Sequence, residues 1–528
     1  MLLLICGGAL RAQSAATVPA SSGIYDRLES VTAYYPTDQL PLGVRPLSRA
    51  ELVRIVDDLA SRVEADGRGH AGRRAWALRE LALVSRALGG RPTDERLTVR
   101  GAVGSEFFAA SAAPDTIESN GLGSIDAVSH PFGDLRQGRA AERGAALIVT
   151  PTTSAGLTGR LALAVEPRLT IHSPPAASAS FELLMHRAYA RGVYRNVAVR
   201  VGMDEMLWGQ SATGALFISG NAMPLPAVSI GTEAPVVLPW LFRFAGPVTM
   251  TAMLADLGRA QDPPHAKLAG WHVAMQPWPR FELGVSVLAQ QGGRGGPDAT
   301  LPERIIDLLP IIDALAPQRA DFQFSNKLAG GNLRLRFPEL SGLDLYYELM
   351  IDDFDLRRFE STVIDEFSHL LGARVPVLMG EGQVVLRAEL HNTSLRVYEH
   401  TQYRSGVTFR DRLIGNPLGP NAKGGRGSVA WRPSPALELA VEVADDARDP
   451  SLYTSTAAGS FDEGFRLIRV TDEPKIHRRR FVARVARVVS VGSFRVEGGY
   501  NRDWRSGQRG RGEWGAVLAF RSGGLRSF

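Results

Sequence analysis

From Leu97 onward the chain alternates apolar and polar residues at period two, and its connections come in two unequal lengths. Val197, Val199, Val201 and Met203 are interleaved with Ala198, Arg200 and Gly202, and Leu343, Leu345, Tyr347, Leu349 and Ile351 repeat the pattern. Alternation of this kind describes sheets with one apolar face, which a soluble sandwich would share. The connections discriminate further. Short turns read at residues 191–192, 277–279, 338–342, 433–435 and 491–493, while the other ends of the same strands run into long segments at residues 204–223, 292–324, 352–366 and 444–475. Sorting of short turns to one side and long loops to the other is the arrangement of an outer-membrane barrel, and a sandwich has no reason for it. Strands starting near residues 97, 144, 157, 180, 193, 224, 248, 267, 280, 326, 343, 367, 383, 424, 436, 477, 494 and 512 make about eighteen, an even count that brings both chain ends of the barrel to its periplasmic side.

The first hundred residues follow a different period. Ser48 and Glu51 stand at capping-box spacing before Leu52, Ile55, Val56, Leu59 and Val63, which line one helix face. A second helix reads over residues 72–88, stopped by Gly89, Gly90 and Pro92, and a short one carries Tyr25, Leu28 and Val31. Residues 1–14 read as a secretory segment, with the apolar run MLLLICGGAL and a cut before Ala15. The expected organisation is therefore a signal peptide over residues 1–14, a periplasmic helical bundle over 15–95 and an all-β transmembrane barrel over 96–528, the bundle plugging the periplasmic end.

Composition closes several other routes. No apolar run reaches the roughly 18 residues that a spanning helix needs, and a single cysteine, Cys6, rules out an intramolecular disulfide or a thiolate zinc cluster. Sixty Lys and Arg face 55 Asp and Glu, and only Arg478, Arg479 and Arg480 with Lys475 form a basic knot, so no nucleic-acid partner is expected. HExxH, GxSxG and P-loop motifs are absent, the ten histidines are scattered, and the GxGxxG at Gly510, Gly512 and Gly515 runs into a final strand instead of a helix. Neither catalysis, nor a metal, nor a cofactor is expected. Asp352, Asp353 and Asp355 lack the spacing of a calcium loop and read as a solvated acidic cluster.

Residues 206–230 are the most distinctive passage. Trp208, Gln210 and Asn221 combine a flat apolar face with amides that donate and accept, which suits a sugar ring and its hydroxyls. The same residues also suit an interfacial aromatic and a turn cap. With Arg412 and Asn416 from a later loop, they are the expected polysaccharide contacts.

Trp208-Gly209, Ser219-Gly220-Asn221-Ala222, Pro224 to Ser229, Ser325 to Gly330, Leu345 to Asp353, Gly415 with Gly419-Pro420-Asn421, and Arg45-Pro46-Leu47-Ser48-Arg49 are spread along the chain. On these residues the chain resembles the Wzi-type capsule-assembly proteins of the bacterial outer membrane. The family usually has Gly-Pro where this chain has Gly209-Gln210. The resemblance implies an eighteen-stranded barrel with a helical plug that retains capsular polysaccharide or exopolysaccharide at the cell surface without catalysis. A porin is the alternative, because a barrel this wide can leave a water-filled lumen. The helix-like residues 302–315, with Ile305, Ile306, Leu309 and Ile312 on one face, favour a closed one. Outer-membrane lipid and the barrel-insertion machinery are expected partners of a monomeric chain.

Glu513, Gly515, Leu518 and Phe520 fit the pattern that insertion machinery reads in a closing strand. Phe520→Asp is expected to block assembly, since a charge on the lipid face costs on the order of a few kcal/mol at depth; Phe528→Asp is expected to be tolerated. Heat-modifiable gel mobility of the two variants checks this, and equal folding of both removes the signal assignment.

Overall fold

The computed structural model describes residues 15–39, 43–67, 71–89, 97–139, 142–157, 159–211, 213–309, 324–352, 367–455 and 467–522. Eighteen antiparallel strands close into one barrel. In chain order they are β1 (Leu97–Ala110), β2 (Gly144–Leu157), β3 (Leu161–Ser173), β4 (Ser180–Tyr194), β5 (Val197–Met203) and β6 (Pro226–Thr232). β7 (Pro247–Asp256), β8 (Lys267–Trp278), β9 (Phe281–Gln291), β10 (Ser325–Phe337), β11 (Leu343–Asp352) and β12 (Phe367–Met379) follow. The ring ends with β13 (Gly382–Thr393), β14 (Ala422–Ser434), β15 (Leu437–Arg448), β16 (Ile476–Val489), β17 (Gly492–Arg505) and β18 (Arg511–Ser522). β1 and β18 close it in register from Gly104 opposite Arg521 to Ala110 opposite Gly515. The expected starts lie close to these; the largest displacements are at β3 and β5, expected near 157 and 193 and found at Leu161 and Val197. The turn expected at Arg191-Gly192 is displaced for a simple reason. β4 continues through both residues, paired to β3 and β5, and turns only at Arg195-Asn196, where Arg195 takes the left-handed φ of 54°.

Side chains alternate across the wall. Val199, Val201, Leu163, Leu183, Leu254, Leu390 and Val441 are exposed, while the residues between them face inward. An apolar band encircling a closed sheet far exceeds what a soluble monomer leaves bare, and it matches the lipid-facing wall of an outer-membrane barrel. No described helix is long and apolar enough to cross a membrane, so the strands make the crossing. Gly515 of the closing strand has a packing role on the lumen side, because a Cβ there would sit 2.5 Å from the ring of Phe132, which reaches in from the loop after β1.

Three helices precede the barrel: α1 (Ile24–Tyr34), α2 (Arg49–Ala65) and α3 (Ala71–Leu88). The Ser48 hydroxyl caps α2 by accepting from the Glu51 N–H at 3.0 Å. Leu28, Val31, Leu52, Leu59, Val63, Trp76, Leu81 and Val84 form their common core. α1 is buried along nearly all its length because its acidic side enters a cluster of lumen arginines. Asp26 meets Arg374 and Arg387 at 3.2 Å each and also Arg432; Glu29 pairs with Arg45. Burial alone would raise both carboxyls, but these arginines hold Asp26 well below the usual carboxylate range and lower Glu29 as well. The Tyr34 hydroxyl donates to the Pro376 carbonyl at 2.6 Å, so the helix is tied to the wall at its C-terminal end too.

The extracellular half of the lumen is filled differently. Ile117 and Ile125 after β1, Leu216, Phe217 and Ile218 after β5, and Val397, Tyr398, Phe409 and Leu413 after β13 pack with the inward residues Leu288, Leu328, Met350 and Leu370. The segment expected to help close the barrel, residues 302–315, does not do so in its described part. α4 (Leu301–Asp307) is seven residues long. It lies by the outward face of β8, where the Trp271 indole donates to Leu308 O at 2.6 Å, and Leu301, Ile305 and Leu309 are exposed. Its apolar stripe is directed away from the lumen, and Ile312 lies outside the described residues.

Glu51 supplies a pH test of the helical unit. Burial, the neighbouring Glu233 carboxylate second, pushes its carboxyl up from the usual 4.5 to about 8 against Arg54 and Arg191. The folded chain therefore keeps a proton that the unfolded chain has lost, and stability falls as pH rises from about 4.5 to about 8. Glu51→Gln should flatten that decline and stabilise the protein more at pH 8 than at pH 5, measured by the temperature at which heat-modifiable mobility is lost. An unchanged pH slope would show that Glu51 is ionised in the folded protein.

Candidate functional site

The loop after β5, residues 204–225, turns down into the barrel mouth and is held there by one inward-facing carboxylate. Glu348 of β11 accepts from the backbone N–H of Gln210 at 2.5 Å, Ser211 at 2.8 Å and Leu216 at 2.8 Å. Gly209 makes the approach feasible. Its φ is 143°, and a Cβ there would stand 2.7 Å from a Glu348 oxygen. The Gln210 N–H donates to Glu348, which a proline at this position could not do.

Each expected contact residue has a partner inside this framework. Trp208 is fully buried, bridged to Ile218 through its backbone N–H at 3.0 Å, with its ring 5.9 Å from His272. Gln210 donates from Nε2 to Asn332 at 2.7 Å and Glu282 at 3.0 Å, and its Oε1 accepts from Arg334 at 2.7 Å. Asn221 bridges two loops, donating to Leu413 O at 3.0 Å and accepting from the Leu135 N–H at 3.2 Å. Arg412 pairs with Asp134 at 2.8 Å, joining the loop after β13 to the loop after β1. Asn416 donates to Gly214 O at 2.6 Å and accepts from the Leu418 N–H at 3.0 Å. Of the five, Arg412 is the most accessible, at 7%. The structure thus brings all five into one network beneath the loop surface.

Other loop anchors are of the same kind. Asp352 accepts from the Tyr398 N–H at 2.8 Å, and the Tyr398 hydroxyl donates to Leu216 O at 2.6 Å; Asp353 and Asp355 lie outside the described residues. Burial pushes the Glu399 carboxyl up to about 8, although it accepts from the Asn120 N–H. Among the described residues no group of His, Cys, Asp or Glu is placed to hold a metal ion.

What reaches solvent above the network is a polar surface of mixed charge. Thr401, Gln402, Arg404, Arg410 and Asp411 are exposed, and among the described residues the ion pair of Arg404 is a long contact of 3.9 Å with Asp262. Arg410 and Asp411 form the tip of a two-residue hairpin between Thr408–Phe409 and Arg412–Leu413, with φ of 51° and 59°. Sequence reasoning selected Arg412 and passed over Arg410. The Arg410-Asp411 pair between short β-prone stretches was the available signal, since turn residues project outward while the next residue returns to the ladder.

Residues 129–467 match the family model of the capsule assembly protein Wzi. The fold superposes on Escherichia coli Wzi, an outer membrane protein involved in group 1 capsule assembly and a carbohydrate-binding β-barrel, with TM-score 0.67 and 14% identity over 96% of this chain and 99% of that one. An uncharacterized 55.8 kDa protein of the Klebsiella pneumoniae cps region is 29% identical over 114 residues, 21% of this chain and 22% of its own, so the chain spans about a fifth of that relative. The Acinetobacter baumannii barrel OccAB1 aligns with TM-score 0.42 and 10% identity over 80% of this chain and 96% of that one. An eighteen-stranded outer-membrane barrel whose family match extends over more than half its length, this chain belongs to the Wzi family of capsule assembly proteins.

Proposed function

We propose that the loop cap binds capsular polysaccharide or exopolysaccharide and retains it at the cell surface, without catalysis. The observation that carries this reading is the joint packing of the loops after β1, β5 and β13 around one apolar core in the barrel mouth. A cap fixed in this way offers a preorganised surface, and preorganisation lowers the entropy lost on binding a flexible chain. Its exposed guanidinium and amide groups, Arg404, Arg410 and Gln402, suit sugar carboxylates and hydroxyls. In this reading Trp208, Gln210, Asn221, Arg412 and Asn416 serve binding by holding the loops in register. The same filled mouth disfavours the porin alternative, because the apolar core of the described loops occupies space that a water-filled channel would need. The chain acts as a monomer seated in outer-membrane lipid and delivered by the barrel-insertion machinery. Its division into residues 15–95 and 96–528, with residues 1–14 removed on export, belongs to the same proposal.

Surface retention of the native polysaccharide tests this, with barrel abundance followed by gel. Arg404→Ala with Arg410→Ala should lower retention roughly fivefold or more at unchanged abundance, the effect of losing about 1 kcal/mol of charge-assisted hydrogen bonding. Trp208→Ala with Arg412→Ala should lower retention and also thermal stability, since truncating a buried tryptophan costs about 3–5 kcal/mol. Undiminished retention in both at normal abundance moves the site elsewhere. Normal retention in a full deletion removes the capsule role itself.

A further inference from the structure

The basic knot at residues 478–480 is divided by the strand it lies in. β16 alternates, so Arg478 and Arg480 face the lumen and Arg479 faces outward. The two inward residues are matched: Arg478 pairs with Asp115 at 2.6 Å and Asp503 at 3.0 Å, and Arg480 with Glu442 at 2.7 Å. The outward one is placed against a second cation. Register sets Arg479 directly opposite Arg502 of β17, and Asp445 of β15 on its other side. Like charges directly opposed on a sheet face destabilise it. Asp445 accepts from Arg479 at 2.9 Å, but among the described residues Arg502 has no carboxylate partner.

Next to this pair, toward the loops, lies the Trp504 ring, with Arg479 and Arg502 at 5.8 Å and 6.0 Å from its centre and His477 stacked on it at 5.2 Å. One row nearer the membrane, the same outward face carries Phe481, Tyr500 and Trp514, all about half exposed. An aromatic row of this kind marks the boundary between hydrocarbon and headgroups. The two guanidiniums therefore stand at headgroup depth on the extracellular side, outside the barrel and away from the capsule-facing cap.

We propose that Arg479 and Arg502 bind a phosphate of a phosphorylated glycolipid of the outer leaflet, with Trp504 against its sugar and the aromatic row below against its acyl chains. Arg502 and the donors of Arg479 that Asp445 leaves free can both donate to one phosphate, and the anion removes the repulsion between the two guanidiniums. A sugar-bearing headgroup is the occupant that uses the stacked ring as well as the charge.

The test uses the full chain purified in detergent, with native mass spectrometry scoring bound lipid A bearing two phosphates. Arg479→Gln with Arg502→Gln should lose at least fivefold in affinity, the Lys-Lys pair should retain part of it, and Arg487→Gln, outward at the periplasmic end, should bind as wild type. Dephosphorylated glycolipid, phosphatidylglycerol and inorganic phosphate should each bind at least fivefold more weakly to the wild type. Heat-modifiable mobility establishes that the variants are folded, and if the Gln pair fails to fold, the comparison of glycolipids on the wild type decides alone. Equal binding by a folded Gln pair, or equal affinity for the dephosphorylated glycolipid or for phosphatidylglycerol, overturns the proposal.

Discussion

A ring of eighteen hydrogen-bonded strands encloses more space than its own inward side chains can fill, and the rest of this molecule is organised by how that space is occupied. Two materials are used. Toward the periplasm α1 presents Asp26 and Glu29 to Arg374, Arg387 and Arg432, so neither set is left as uncompensated buried charge. Buried pairs of this sort are costly to break because the surviving partner has no solvent to turn to. Toward the cell exterior the loops bring their own apolar core, and Glu348 fixes the deepest of them by its backbone. Wall, plug and cap thus depend on one another.

The wall was the legible part of the sequence. Alternation and the sorting of loop lengths placed eighteen strands, with β3 and β5 furthest from expectation, because both properties are local and every barrel strand must satisfy them. The three N-terminal helices were legible through caps and period, as at Ser48 and Glu51. The path of a long loop was not legible in the same way. Residue types that suit a sugar, such as Trp208, Gln210 and Asn221, are also those that satisfy buried backbone groups, and nothing in the local pattern says whether residues 204–225 rise above the mouth or enter it. The decisive partner, Glu348, is 138 positions from Gln210. α4 shows the converse error, an apolar stripe read as a lumen filler that turns to the outer wall.

Alternation also gives the charged residues of the rim their separate tasks. Arg478 and Arg480 hold the loop after β1 and β15 from within, whereas Arg479, one residue between them, belongs to the membrane face with Arg502. The extracellular rim therefore carries two surfaces back to back: a polar cap above the mouth, and a strip of arginines and aromatic rings on the outer face of the wall.

Single-channel recording on the refolded full chain in a planar bilayer separates a filled barrel from a porin. With α1 locked to the arginine cluster and the loop core in the mouth, no large steady conductance should appear, and deletion of residues 25–90, which removes α1 and the Val44-Arg45 pairing to Leu207-Trp208, should open the barrel. A large, steady conductance from the full chain would contradict the filled lumen, and with it the fixed cap on which the proposed polysaccharide site rests.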